Sequence, residues 1–314
     1  MTAPAGLILL AVTLGLLGPR LLVRSKWPSR SPALGILAWQ ALSVAVFASV
    51  LLAGLSLAVP EIPASSGVAE FFHACSAALS EHYATPGGVV LSVLGGGVAV
   101  VLSVRFVSAL WSGGRRMRRD RSHQDDMLRL VCSDHAEPDV VVVSHHVPAV
   151  YCLPGRRRQV VVTEGAIAAL SPGQLRQVLA HEREHIRARH HLALLVADAF
   201  ASALMNHLGT RQARAQIAEL AEMHADDAAD PSRRRELAVA VVLLAGGGRP
   251  AGALGADGGT AVVRVRRLAE PSRPVTRLQR LSVIVAGLTV VVLPLGIALA
   301  PGISAIASHY CPLF

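Results

Sequence analysis

The chain has 314 residues, 52% of them hydrophobic and 16% charged, and carries a formal net charge of +9 with a pI near 10.5. A chain this apolar and this poor in charge is a membrane protein, not a water-soluble one. The basic excess alone would suit nucleic acid, but its placement beside the apolar spans suits anionic lipid headgroups, so direct nucleic-acid binding is not expected.

Hydropathy places spans near residues 3–23, 33–59 and 87–111, each long enough for a hydrocarbon core of about 30 Å. No A-x-A-like cleavage site follows the first span, which therefore reads as a retained helix. Arg20, Arg24, Lys26 and Arg30 follow span one, and Arg115, Arg116, Arg118, Arg119 and Arg121 follow span three. The loop between spans two and three holds Glu61, Glu70 and Glu81 but no lysine or arginine. By the positive-inside rule the N-terminus and that loop lie outside, and the segment after span three lies in the cytosol.

After span three, Val140 to Val143, Ala149 to Leu153 and Gln159 to Thr163 are short β-rich runs, with Pro154-Gly155-Arg156-Arg157 turning the second into the third. A small sheet is expected, and its exposed edge can hold an extended peptide by strand addition. Ser171-Pro172-Gly173-Gln174 then gives an N-cap serine, a proline at the first helical position and a glutamine at the third, which starts a helix. Leu175, Val178, Leu179 and Ile186 recur at helical spacing along it.

That helix carries His181-Glu182-Arg183-Glu184-His185, an HExxH sequence. Two histidines four residues apart project from one helix face and can grip a single ion. Glu182 beside them can take a proton from a water that zinc has acidified to a pKa of about 7, which is the chemistry of zinc-dependent peptide hydrolysis. A third ligand is needed, and Glu222-Met223-His224-Ala225-Asp226, in a helical run from about Arg211 to Ala229, supplies it. Glu222 and Asp226 again share one face, so Glu222 can ligate while Asp226 fixes a histidine tautomer. Glu219 is the weaker choice, having no carboxylate four residues on.

His191 stands at the offset of the third ligand in H-E-x-x-H-x-x-G-x-x-H proteases, but position 188 is Ala where those have Gly. The helix should then continue and turn His191 away, leaving His190 and His191 interfacial or solvent-facing and His224 a bystander. Residues 192–208 are apolar, yet Asp198 and Asn206 interrupt them, and a crossing there would separate Glu222 from the histidines. They are expected to continue the catalytic helices, buried or grazing the membrane. Gly246 to Gly259 reads as a connector and Val262 to Leu268 as a basic helix, before Arg273, Arg277, Arg280 and a fourth span near 281–300.

Cys75 falls in the outer loop and Cys311 in the outer tail, where a disulfide between them is possible. Cys132 and Cys152 belong to the cytosolic domain and should be reduced.

The V-V-V-T-E-G-A-I run at 160–167, L-A-H-E-R-E-H at 179–185 and E-M-H-A-D at 222–226 resemble the gluzincin pattern of HtpX-type and BlaR/MecR-type membrane metallopeptidases. Three spans, a cytosolic zinc domain and a closing span are similar to the BlaR/MecR type. The resemblance implies His181, His185 and Glu222 as zinc ligands, Glu182 as general base, and cleavage of a cytosolic repressor. The antibiotic-sensing members carry a penicillin-binding domain after the last span, whereas this sequence ends at Phe314. It also has no S-x-x-K, its only lysine being Lys26. Acylation by a β-lactam is therefore not expected.

The expected architecture is a mainly α membrane protein of about four transmembrane helices with an inserted cytosolic α+β gluzincin-like zinc protease domain. Residues 1–112 hold three spans, 113–280 the metallopeptidase domain, and 281–314 the last span and an outer tail. Two other classes are an HtpX-like quality-control protease and a noncatalytic membrane scaffold.

Overall fold

A computed structural model of the chain describes residues 2–58, 88–137, 139–153, 159–245, 258–270 and 274–310. Helices α1 (Thr2–Arg24), the short α2 (Trp27–Arg30) and α3 (Pro32–Ala58) come first, followed by α4 (Gly88–Val131). The last helix is α11 (Arg277–Tyr310). Four helices are long and apolar enough to cross a membrane: Thr2–Arg24, Pro32–Ala58, the Gly88–Asp120 part of α4, and the Arg277–Pro301 part of α11. The chain is a mainly α, multi-pass membrane protein. Leucines and valines on these helices stay exposed, among them Leu9, Val93 and Leu288, as lipid-facing side chains do. Cys75 and Cys311, with most of the 246–259 connector, lie outside the described residues.

Between α4 and α11 lies the mixed domain. Its sheet comprises β1 (Cys132–Glu137), β2 (Val140–Val143), β3 (Val150–Leu153) and β4 (Gln159–Thr163), in the order β1-β2-β4-β3. β1 pairs antiparallel with β2, β2 parallel with β4, and β3 antiparallel with β4. Thr163 caps α5 (Glu164–Ala169), and its hydroxyl accepts from Ala166 N. Helix α6 (Pro172–Arg187) begins in a full capping box, with the Ser171 hydroxyl accepting from Gln174 N and the Gln174 side chain accepting from Ser171 N. Its apolar side, Val178 and Leu179, joins Val150, Val160 and Val162 of the sheet and Leu237 and Ala240 of α9 (Arg234–Leu244) in one core.

α6 does not continue to His191. It ends at Arg187, Ala188 caps it, and Arg189 adopts a left-handed conformation at φ 53° before α7 (His190–Ala203) begins. α7 runs into the membrane bundle, where Phe200 packs against Phe47 of α3 and Phe106 of α4, with ring centroids 5.5 and 4.9 Å away. Arg105 of α4 donates to Ser202 O through Nε at 3.0 Å and Nη2 at 2.7 Å, satisfying a carbonyl at the end of α7. The chain then turns through Met205, Asn206 and Leu208, all at positive φ, and Gly209 at φ +75° into α8 (Thr210–Asp226). Glycine is required at the crossing: a Cβ on Gly15 would come within 2.8 Å of Leu208 Cβ, and one on Gly209 would collide with Pro19. Residues 192–208 are thus one arm of a hairpin wedged among the spans, and α7, at 14 residues, is too short to cross. On the other arm, Ile217, Leu220 and Met223 share a core with Ile36, Trp39 and Val46 of α3.

Candidate metal centre

α6 and α8 meet so that His181, His185 and Glu222 are all buried and each offers one ligand atom, these atoms lying within 4.8 Å of one another. The two Nε2 atoms are 3.1 Å apart, while Glu222 Oε2 is 3.7 Å from His181 Nε2 and Glu222 Oε1 is 3.5 Å from His185 Nε2. Ligand atoms about 2.0–2.1 Å from a tetrahedral ion are separated by about 3.3 Å, so these spacings fit one small cation. The tautomers agree with this. His181 Nδ1 lies 3.0 Å from Asp226 Oδ1, so Nδ1–H donates to that carboxylate and leaves the Nε2 lone pair facing His185.

Buried charge points the same way. Glu182, Glu222 and Asp226 are each at most 6% exposed, and one cation from outside the motifs, Arg264 of α10 (Gly258–Ala269), enters among them. Arg264 donates to Asp226 Oδ1 at 2.6 Å, Asp226 Oδ2 at 2.9 Å and Glu222 Oε2 at 2.8 Å. Three carboxylates against one guanidinium leave two negative charges, which a divalent ion neutralises. Burial opposes charge on His181, but hydrogen bonds to Asp226 and Glu222 prevail and push it up to about 9. Against the same desolvation, His181, His185 and Arg264 hold Glu222 below the usual carboxylate range, and His181 and Arg264 do so for Asp226.

Glu182 is turned toward the sheet, where its Oε2 accepts from Cys152 N on β3 at 3.0 Å. Among the described residues β3 is an edge strand of the sheet, so the carboxylate meets the backbone of that edge next to the cation site. Burial, with the Glu182 carboxylate beside it, pushes the Cys152 thiol far up and keeps it neutral. At its outer side α6 is tied to the sheet by Arg183, which donates to both oxygens of Asp139 at 2.8 and 2.9 Å. Arg183 holds the Asp139 carboxyl below its ordinary value.

Residues 117–245, the stretch running from the end of α4 through α9, match the family model described as Peptidase family M48. The inserted domain is M48-like. The match supports a metallopeptidase, and the His-His-Glu group supplies a place for the metal. Searches of curated proteins and of solved structures find no match to the chain.

The four motif residues and Asp226 thus come together in the M48-like domain, whereas His191 is outside the ligand group found among the described residues. Three participants were not foreseen. Arg264 is a charged residue on the buried stripe of an amphipathic helix, with Leu268 one turn on and also buried, and that placement was its signal. His190 and His224 were expected at the surface or idle. Instead His190 is 2% exposed, its Nδ1 is 2.8 Å from His185 Nδ1 and its Nε2 is 2.9 Å from His224 Nδ1. The expectation failed because it carried α6 unbroken through position 189.

Proposed function

We propose that the chain is an integral-membrane zinc-dependent endopeptidase whose active site faces the cytosol and which performs regulatory proteolysis of a cytosolic protein such as a transcriptional repressor. The observation that carries this reading is the convergence of His181, His185 and Glu222 next to Glu182 and a strand edge. His181 and His185 through Nε2, and Glu222 through one oxygen, would hold the ion. Zinc bound there supplies Lewis acidity, polarising the scissile carbonyl and acidifying the attacking water. β3 offers backbone groups to an extended peptide, which favours an endopeptidase with little demand on side chains. Glu182, released from Cys152 N, takes the proton of the attacking water and passes it to the leaving amine nitrogen. Asp226 and Arg264 hold His181 and Glu222 in place throughout.

The cytosolic placement is supported by the arginines that follow spans one and three and precede span four, against a loop between spans two and three that holds three glutamates and no basic residue. The N- and C-termini are then outside. The span order and motifs, similar to the BlaR/MecR type, favour a dedicated signalling substrate, with a partner or the bilayer as the trigger. The test compares cellular proteomes carrying the native chain and Glu182→Gln. One or a few intact proteins accumulating with the variant is the expected result. Broad accumulation of unfolded or membrane proteins would replace it with HtpX-like quality control, and no difference would point to a scaffold.

A further inference from the structure

Where His185 acts as a ligand through Nε2, its proton must sit on Nδ1, because neutral imidazole carries one proton. That Nδ1 is 2.8 Å from His190 Nδ1, which must therefore accept, and the His190 proton is placed on Nε2. Nε2 is 2.9 Å from His224 Nδ1, which accepts in turn and leaves its own proton on Nε2. His224 Nε2 faces Glu184 Oε1 at 3.8 Å, and Arg187 holds both oxygens of that carboxylate at 2.6 Å. One assignment thus orders the whole row, from a buried ring at the cation site to a partly exposed ring at the surface. With the row reversed, the His185 proton would point at His181 Nε2, 3.1 Å away, and occupy the place of the ion.

The backbone is shaped for this contact. On an unbroken helix a residue five positions beyond His185 would lie about 140° around the axis, out of reach. The left-handed Arg189, at φ 53°, folds the chain back so that the His190 ring meets the His185 ring edge-on, with centroids 4.8 Å apart. His190 is also the first residue of α7, so the same turn sends the chain on into the membrane bundle.

We propose that His190, itself oriented by His224, is a positioning residue that holds His185 in the tautomer able to bind the metal through Nε2. The inference rests on the triad being a metal centre. Asparagine and glutamine at position 190 separate it from simple packing. Asn places its side-chain oxygen where Nδ1 stood and keeps the acceptor; Gln vacates that point and puts its polar atoms near the former Nε2.

The experiment is competition of Zn2+ between a chelating dye and the full-length chain in detergent. His190→Asn should stay within about threefold of the native affinity, while His190→Gln should lose roughly 10–100-fold, the usual cost of removing a partner of a ligand histidine. Co2+ in the same proteins gives a second readout: the ligand-field spectrum of the Asn variant should match the native one, and that of the Gln variant should shift. Gln binding as tightly as native, or Asn losing as much as Gln, would overturn the positioning role and leave the metal reading intact. Should the Gln variant fail to fold, a tenfold loss in the Asn variant overturns the role by itself. A native chain that binds no Zn2+ overturns the metal reading and this inference with it.

Discussion

Arg264 is the sharpest place to test whether the site is built on charge balance. Arg264→Met keeps most of the side-chain volume and removes the charge. Asp226 would lose bonds of 2.6 and 2.9 Å and keep, among the described residues, only His181 at 3.0 Å, and Glu222 would lose one of 2.8 Å. Both members of each ion pair are no more than 8% exposed, so water does not replace the guanidinium. Breaking a buried pair from one side costs about 3–5 kcal/mol. For a domain of this size that corresponds to a fall in melting temperature of roughly 6–20 °C. The assay is thermal unfolding in detergent with chelator present, so that metal binding does not mask the loss. Adding Asp226→Asn to Arg264→Met removes one orphaned charge and should restore part of the fall. An Arg264→Met chain that melts with the native protein would refute the argument, as would a double variant that melts lower than the single one.

Glu182→Gln should keep its metal content while peptide hydrolysis falls by a factor on the order of 10² or more, as on removal of a general base; unchanged turnover in a peptide-cleavage assay would end that assignment. Elemental analysis should find metal lost from Glu222→Ala and kept in His191→Ala, and the reverse would move the third ligand to His191. Asp139→Asn tests the tie between α6 and the sheet. Because folding lowers the Asp139 carboxyl from 3.8, its pair with Arg183 stabilises above about pH 4 and is lost as pH falls through the folded value. The pair is about 40% exposed, so the melting difference at pH 7 should be worth under ~1 kcal/mol and vanish in acid. Nonreduced peptide mapping should show whether Cys75 and Cys311 are joined; free thiols modified only from the cytosolic side would reverse the proposed orientation.

The parts of this fold that show in the sequence are those whose cause is local. Ser171 and Gln174 announce the start of α6 because a capping box needs only residues three apart, and both of its bonds form. The four apolar helices follow from length and composition, β2 and β4 from runs of valine, and β3 from the short apolar run Val-Tyr-Cys-Leu before the Pro154-Gly155 turn signal. β1 does not show, since Cys-Ser-Asp-His-Ala-Glu has no alternating apolar pattern and becomes a strand only by pairing with β2. The site shows where the spacing is helical, as for His181 with His185 and Glu222 with Asp226. It is hidden where an unusual backbone does the work. Nothing about Arg189 advertises a positive φ, a conformation that favours Gly or Asn, so the fold-back that delivers His190 could not be read. Arg264 reaches Asp226 across 38 positions, a contact made by tertiary packing alone.

The same backbone turns explain why the candidate metal centre and the membrane bundle form one mechanical unit. α6 carries His181 and His185, and Arg189 passes the chain directly to α7, whose far end is held by Arg105 and by Phe47 and Phe106. α8 returns from the bundle and brings Glu222 within two residues of Leu220, which packs against the start of α3. Arg267, one turn beyond Arg264, donates to Ser29 O between the first two spans as well as to Met223 O and the Asp227 carboxylate. The positive-φ residues at the hairpin tip cost of order 1 kcal/mol or more each, and the close passage at Gly15 and Gly209 leaves the tip little room to relax. Sliding α1 or α3 relative to α4 would therefore displace α7 and α8 together. Since one of these follows the histidine helix and the other carries Glu222, such a shift would bear directly on the spacing of the candidate ligand atoms of His181, His185 and Glu222.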